Sequence, residues 1–270
     1  MTQIGQGISE QTIVLPGDDA ASVTLAWSAI TDTGRRREAN EDSFMAVAPV
    51  FAVADGMGGH SAGDVASAAV VTRLAESSGS TSISTSDIER QLVDAVDDMA
   101  RGGGETDSGT GTTVTGAAIT RLADGIAWLV FNIGDSRVYL LSHGVLEQLT
   151  TDHSIVQELV DAGHISREEA ETHPHANVIT RAVGFHEVPI PDYRLIAIEP
   201  GMRLLICSDG LTKELTPYGI RHYLMSTDTP DAAARGLLDA ALENGGRDNV
   251  TVIVVDVIDV VGAATDPHDH

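Results

Sequence analysis

The sequence predicts an α+β fold in which an antiparallel β-sandwich lies between outer helices. Segments typical of strands come in groups, and these groups alternate with pairs of helical segments instead of single helices following single strands. The chain of 270 residues, 42% of them hydrophobic, can bury a large core. Neither an internal repeat nor an apolar run of about 18 residues is present, so a repeat protein and a membrane-spanning helix are not predicted.

Each predicted element is marked by its local pattern. Short apolar runs that end at glycine or at a polar turn predict strands at 23–30, 44–55, 112–120, 126–133, 137–141, 192–198, 204–208 and 249–257. Helical spacing of apolar residues, capping residues and closing glycines predict helices at 61–76, 86–99, 152–162, from 166 onward, and at 229–243. Residues 1–21 contain three acidic residues, no lysine or arginine and little periodicity, and are predicted to be a flexible acidic leader.

Composition limits the classes of function. A formal net charge of −24 argues against nucleic-acid binding and against docking on anionic lipid, both of which need a basic surface. A single cysteine, Cys207, excludes an internal disulfide framework and a cysteine-based zinc site. The first residues lack the basic and apolar regions of a signal peptide, so a cytoplasmic protein is expected.

Three aspartates stand where an apolar run meets a polar turn. Asp55 and Asp209 each follow an apolar run and precede a glycine, and Asp248 comes just before the last predicted strand. An Asp-Gly pair by itself is more often only a turn. Three such carboxylates at one end of a sheet core would form an oxygen-only site that suits Mg²⁺ or Mn²⁺.

Six segments, in order, resemble the motifs of the bacterial metal-dependent protein phosphatases of the protein phosphatase 2C (PPM) family. They reach from about Ala26 to Val257 and comprise 31–43, 53–60, 108–113, 132–137, 207–211 and 246–251. The resemblance implies a four-layer αββα fold, a central antiparallel β-sandwich flanked by pairs of α-helices. It also implies one phosphatase domain over 22–260 with a flap at about 151–184, followed by a flexible tail at 261–270.

The resemblance assigns the metal ligands residue by residue. It implies that Asp55 bridges two core ions, that Asp209 and Asp248 bind the first, and that Glu41 and the Gly56 carbonyl serve the second. Two cations roughly 3.5–4 Å apart can hold a bridging hydroxide in line with a phosphate ester. Asp135, together with Asp209, is expected to hold a third, weaker ion.

Further residues are expected to act on the substrate or on the ligands. The planar fork of Arg37 suits two phosphate oxygens, so Arg37 is expected to clamp the substrate phosphate. Asp32, Asp42 and Asn249 are expected to orient Arg37 and the ligands without binding metal. The acid that protonates the leaving group stays open, because Met57 stands where many eukaryotic relatives have histidine.

The resemblance therefore implies a Mn²⁺- or Mg²⁺-dependent protein serine/threonine phosphatase that opposes bacterial serine/threonine kinases. Phosphorylated proteins are the expected partners; nucleic acid and membranes are not, and a monomer is expected. Two alternatives stay open: a phosphatase of small phosphoesters, and a catalytically silent binding module of the same fold. Loss of a metal carboxylate would mark the silent module, and none is lost in this sequence.

Overall fold

A computed structural model describes residues 1–16, 21–58, 62–102, 111–123, 125–171, 173–185 and 188–262. Within these ranges the strands are β1 Gln3–Gly5, β2 Ile8–Val14, β3 Ser22–Asp32, β4 Asp42–Val47, β5 Val50–Met57, β6 Gly111–Thr112, β7 Val114–Leu122, β8 Gly125–Ile133, β9 Arg137–Ser142, β10 Val145–Gln148, β11 Asp192–Ala197, β12 Arg203–Cys207 and β13 Val250–Val261. The helices are α1 Ala62–Leu74, α2 Thr85–Gly102, α3 Ile155–Asp161, α4 Arg167–Glu171, α5 Asp209–Thr212, α6 Pro217–Met225 and α7 Pro230–Glu243.

The strands form two sheets. Sheet 1 has the order β1-β4-β5-β7-β8-β11, with the short β6 paired to β5, and sheet 2 has the order β10-β9-β12-β13-β3-β2. Neighbouring strands in the described residues pair antiparallel, except that β1 runs parallel to β4. Because β12 and β13 are antiparallel neighbours, the end of β12 lies beside the start of β13.

Aromatic side chains fill the space between the two sheets. Trp27 on β3 packs edge-on against Phe51 on β5, with ring centroids 5.2 Å apart, and Phe51 packs against Trp128 on β8 at 6.2 Å. All three side chains are almost completely buried. Such edge-to-face pairs stabilise a core by about 0.5–1.5 kcal/mol each beyond the burial of their area. This cluster joins the facing sides of the two sheets.

Helices cover the two sheets from outside. Val70 of α1 and Leu92 of α2 belong to one buried cluster with side chains of sheet 1. Leu224 of α6 and Leu237 of α7 belong to another with side chains of sheet 2. A threonine caps each of these last two helices just before a proline at their first turn. The α+β class that the sequence predicts is confirmed.

Residues 1–16 contain two paired strands, so the prediction of a flexible leader over residues 1–21 was wrong for this part of the chain, and residues 17–20 lie outside the described residues. β1 adds to the edge of sheet 1 beside β4, and β2 adds to the edge of sheet 2 beside β3. Ile13 and Leu15 are buried, and the Trp27 indole N–H donates to the Gln6 carbonyl at 3.0 Å. Most side chains of β2 are exposed, so its hydrophobic pattern is weak, and backbone pairing with a sheet edge orders it instead.

Other boundaries also differ from the prediction. The strand expected over 44–55 is a hairpin, β4 and β5, and the sequence pattern missed β10, α5 and α6. β13 continues to Val261, and residues 263–270 of the predicted tail lie outside the described residues. Among the helices described here, none has both the length and the apolar character needed to cross a membrane.

Candidate metal and phosphate site

Strand pairing brings the predicted carboxylates to one end of the sandwich. Asp42 and Asp55 stand opposite each other in the β4–β5 pair. Asp209 follows β12 after a single residue, and Asp248 precedes β13 by two. Because β12 and β13 are antiparallel neighbours, Asp209 and Asp248 lie at the same end of sheet 2.

Asp42 ties the two sheets together at this end. Its carboxylate is completely buried, and one oxygen, Oδ2, accepts hydrogen bonds from Ser208 Oγ at 2.8 Å and Thr251 Oγ1 at 2.6 Å. The other oxygen, Oδ1, has no hydrogen-bond partner among the described residues. Burial, reinforced by the charges of Asp209 and Asp248 and opposed by the two hydroxyl groups, raises the pKa of Asp42 to about 7.

The backbone of Asp55 is fixed by two threonines. Its N–H lies 3.0 Å from Thr113 Oγ1, and its carbonyl accepts from Thr113 N–H and Thr112 Oγ1, each at 2.9 Å. Burial raises the pKa of Asp55 well above its usual value, and the charges of Asp42 and Asp209 raise it further. Asp55 is thus held rigidly in a place where a bare carboxylate is unfavourable.

Gly56 and Glu41 are held by close backbone packing. A Cβ atom at Gly56 would lie 2.1 Å from the Gly63 carbonyl oxygen and 2.7 Å from that of Glu41, so only glycine fits. The Glu41 carbonyl accepts from Ser67 Oγ at 2.6 Å. The backbone of α1 thereby fixes the segment from which the Gly56 carbonyl and the Glu41 carboxylate are expected to bind metal.

Two positively charged side chains, Lys213 and Arg37, form ion pairs with the carboxylates of Asp209 and Asp248. Lys213 Nζ lies 2.5 Å from Asp209 Oδ2 and 3.0 Å from Asp248 Oδ2. Arg37 binds Asp248 with both prongs of its guanidinium, Nε to Oδ1 at 2.8 Å and Nη2 to Oδ2 at 3.0 Å. Burial opposes the ionisation of Asp248, but these two cations outweigh it and hold its pKa below the usual value. Burial raises the pKa of Asp209 despite Lys213, and within the described ranges its buried Oδ1 has no hydrogen-bond partner.

Asn249 fixes the loop that carries Arg37. Its Nδ2 donates to the carbonyls of Thr33 and Ala39, each at 2.9 Å, and its Oδ1 accepts from the Glu41 N–H at 2.9 Å. Three hydrogen bonds from one amide therefore hold both ends of the loop. Asp32, which is expected to orient Arg37 and the ligands, accepts from the Gly34 N–H at 2.7 Å, as in a tight turn at the start of this loop.

Asp135 lies beside the same group. The turn before it is fixed by His153. The Nδ1 atom of His153 accepts from the Gly134 N–H at 3.0 Å, and the backbone N–H of His153 donates to the Gly134 carbonyl at 2.9 Å. Burial raises the pKa of Asp135 to about 7, with further contributions from the charges of Asp209 and Asp152. Asp135 is therefore close enough to Asp209 to interact with it.

The predicted flap is attached next to Asp55 and Asp135. Val183 pairs with Thr112 of β6, and Ile179 pairs with Ser154. His153 extends the attachment, because its Nε2 lies 3.1 Å from Asp192 Oδ2 and 2.9 Å from Arg181 Nη1. The segment 108–110 and His60, which belong to two of the sequence motifs, lie outside the described residues.

The donor set fits a hard divalent cation. Its members are carboxylates and a backbone carbonyl, which are the ligands that Mg²⁺ and Mn²⁺ prefer. Asp209 Oδ1 is buried without a hydrogen-bond partner in the described part of the chain, and a bound cation would supply one. Burial, with the charges of Asp42 and Asp209, raises the pKa of Asp55, and a nearby cation would favour its ionised form. Among the described residues no three or more His, Cys, Asp or Glu side chains form a ready-made metal cluster. In the structure the ammonium of Lys213 and the guanidinium of Arg37 form ion pairs with Asp248.

Sequence reasoning missed several residues of the site. Lys213 gave two signals, since it is the only lysine of the chain and comes four residues after Asp209. Ser208 and Thr251, which bind Asp42, lie within the motifs 207–211 and 246–251, but nothing in those motifs pointed to Asp42. His153 likewise had no pattern that pointed to the Asp135 turn.

Comparison with known proteins identifies the same family that the sequence motifs resemble. The family described as Protein phosphatase 2C matches residues 34–243. The serine/threonine protein phosphatase PstP of Mycobacterium tuberculosis is 39% identical over 256 residues, 91% of this chain and 48% of that protein, so this chain spans about half of that relative's length. The serine/threonine phosphatase stp of Listeria monocytogenes is 37% identical over 239 residues, 84% of this chain and 93% of that protein.

Solved structures agree with the sequence relatives. The crystal structure of the catalytic domain of PstP in complex with two manganese ions is similar at a TM-score of 0.76 and 36% identity, covering 87% of this chain and 99% of that one. The matched region contains the strand ends that carry Asp55 and Asp209, since residues 34–243 include both. The chain belongs to the protein phosphatase 2C family.

Proposed function

We propose that this protein is a metal-dependent phosphoprotein phosphatase that removes phosphate from phosphoserine and phosphothreonine. The observation that carries the proposal is the convergence of Asp209 and Asp248, from distant parts of the chain, with Arg37 beside them. The relatives named as serine/threonine phosphatases and the manganese-bound neighbour support it. Opposition to bacterial serine/threonine kinases, a monomeric state and a cytoplasmic location complete the proposal.

Each predicted ligand has a proposed role. Asp209 and Asp248 would hold a first Mn²⁺ or Mg²⁺ ion, Glu41 and the Gly56 carbonyl a second, and Asp55 would bridge the two. Asp135 would join Asp209 in holding a third, weaker ion. The two core ions would supply the nucleophile and neutralise charge on the phosphoryl oxygens.

Arg37 would bind the substrate phosphate. Its side chain is 52% exposed, so it can be reached by a phosphoprotein, and its loop is fixed by Asn249. The guanidinium now pairs with Asp248 in the two-pronged geometry that it would use on phosphate. Binding of a metal ion by Asp248 would leave Arg37 free to bind the phosphate instead.

A net charge of −24 would disfavour the approach of an anionic phosphate unless the site itself carries positive charge. Arg35, Arg36 and Arg37 follow one another in the loop after β3, and bound divalent ions would add to them. The substrate phosphate would therefore meet positive charge at the site although the molecule as a whole is acidic.

Comparison of substrates tests the proposal most directly. We expect the Mn²⁺-loaded protein to dephosphorylate phosphothreonine and phosphoserine peptides, and a chelator to abolish that activity. Sugar phosphates and nucleotides are the matched small substrates. A clear preference for them would identify a phosphatase of small phosphoesters. Absence of turnover on every phosphoester would contradict an enzymatic function and favour a binding module.

A further inference from the structure

The only lysine of the chain lies inside the candidate site. Of the sixteen lysine and arginine residues, fifteen are arginines, and the exception is Lys213, directly after α5. Its ammonium group lies 2.5 Å from Asp209 Oδ2 and 3.0 Å from Asp248 Oδ2. The side chain is 28% exposed, so the ammonium can reach solvent when it leaves these carboxylates.

The two carboxylates that Lys213 contacts, those of Asp209 and Asp248, are expected to bind the first metal ion. A divalent cation and an ammonium group on the same pair of carboxylates would repel each other, and the repulsion is strong in a partly buried place. Binding of the metal ion therefore requires Lys213 to move away. Because Lys213 loses its contacts with Asp209 and Asp248 when it moves, the free energy of metal binding becomes less favourable.

We propose that Lys213 is a built-in competitor of the first metal ion. It neutralises Asp209 and Asp248 until a divalent cation displaces it, and it thereby weakens the binding of that cation. The inference rests on the proposed function, because it takes these two carboxylates as metal ligands.

The chemistry of lysine suits this role better than that of arginine. A compact ammonium group on a flexible stem can sit between two single oxygens of different carboxylates and can swing away as a unit. An arginine would bind one carboxylate with two parallel hydrogen bonds, as Arg37 does with Asp248. Lys213 thus reaches both carboxylates at once, whereas Arg37 binds only one of them.

Calorimetric titration of Mn²⁺ into chelator-treated protein, without substrate, tests the competition. We expect Lys213→Met to bind the first Mn²⁺ about tenfold more tightly than the wild type, since close charge pairs commonly contribute that much. Arg247→Met is the matched control, because it removes a neighbouring cation whose guanidinium lies near Glu214 rather than on the two carboxylates. Its Mn²⁺ affinity should change by less than about twofold.

Each outcome of the titration has a distinct meaning. Unchanged or weaker binding in Lys213→Met would overturn the competition, and so would an equal gain in Arg247→Met, which would show only long-range charge. Absence of Mn²⁺ binding by the wild type would instead contradict the proposed function. The melting temperature with chelator should fall in Lys213→Met, because Asp209 and Asp248 lose their shared cation.

A measurement on the wild type covers the case in which Lys213→Met does not fold. Because Lys213 is the only lysine, its reaction with an amine-specific reagent can be followed by peptide mass spectrometry. We expect labelling to be several times faster with Mn²⁺ than with chelator, since the displaced amine is no longer held by two carboxylates. Equal or slower labelling with Mn²⁺ would overturn the proposal.

Discussion

The same two strands, β12 and β13, carry two very different groups of charged residues at their opposite ends. At the start of β12, Arg203 binds Asp256 on β13 with two hydrogen bonds of 2.6 and 2.7 Å. Its remaining Nη1 donates to the carbonyls of Leu224 and Thr227. The exposed fractions of the Arg203 and Asp256 side chains are only 11% and 19%. At this end the positive charge of Arg203 is balanced by the negative charge of Asp256, and the guanidinium donates hydrogen bonds to that carboxylate and to two backbone carbonyls.

The other end of these strands has more negative charge than the protein neutralises. Asp209 and Asp248 share Lys213, and Arg37 adds one further cation. The buried carboxylate of Asp42 and the half-buried carboxylate of Asp55 lie close by. Burial is the largest cause of the raised pKa values of Asp42 and Asp55, and the charges of the neighbouring carboxylates raise both pKa values further. A charge-balanced pair is typical of a structural element, whereas an excess of carboxylates in a partly buried place is typical of a site that binds an external cation.

Substitution of Asp55 should have the largest effect, lowering activity while raising stability. We expect Asp55→Asn to reduce Mn²⁺-dependent turnover of a phosphothreonine peptide by about 10³-fold, because the bridge between the core ions is lost. The same variant should melt at a higher temperature with chelator, because it removes a buried charge. Turnover and chelator-dependent melting of one preparation check both effects. Retained turnover would contradict the placement of Asp55 in the site.

At the other end of the strands we expect a substitution to reduce stability without reducing activity. Arg203→Met should lower the free energy of unfolding by about 3 kcal/mol, because it leaves Asp256 without its cation in a largely buried place. The kcat of the folded, metal-loaded variant should stay close to that of the wild type. Urea unfolding and phosphatase assays below the transition provide the measurements. A large loss of kcat would show that the two ends are coupled.

An identical substitution at both ends sharpens the comparison. We expect Arg37→Lys to lower kcat/KM for a phosphopeptide by about tenfold, because lysine cannot bind two phosphate oxygens in a plane. Its stability should change little, since Arg37 is half exposed. Arg203→Lys, the matched control, should lose stability and keep kcat/KM. Equal kcat/KM in Arg37→Lys and the wild type would remove Arg37 from substrate binding.

Asp135 should give a smaller effect on activity. We expect Asp135→Ala to reduce turnover several-fold and to abolish the weak activation at high Mn²⁺, because Asp135 is proposed to serve only the third ion. Calorimetry should find the two tighter ions still bound. A wild-type response across the Mn²⁺ titration would show that Asp135 is only a turn residue.

The dependence of stability on pH should reveal the carboxylate excess directly. Asp42 and Asp135 have pKa values of about 7 in the folded protein and ordinary, lower values when unfolded. Between these values the folded state binds more protons, so the free energy of unfolding falls as pH rises toward 7. With chelator we expect the melting temperature to drop by several degrees from pH 5 to pH 7. An unchanged slope in Asp42→Asn would show that other groups cause it.

The sequence by itself determined the class of the fold and the family. Apolar runs that end at Asp55 and Asp209, and the run after Asp248, predicted strands whose polar ends could meet, because strand length and turn residues are local properties. The α+β class is confirmed, and family membership follows from the matched residues. The roles of the individual site residues stay predictions.

Only the tertiary structure decided how charge is shared at the site. Lys213 reaches Asp248 across 35 positions of the chain, and Asp42 meets Ser208 and Thr251 across 166 and 209 positions. No local pattern encodes such contacts, because they depend on which strand ends the sheets bring together. The order of β2 has the same origin, since an edge strand with exposed side chains is stabilised by the backbone of its neighbour.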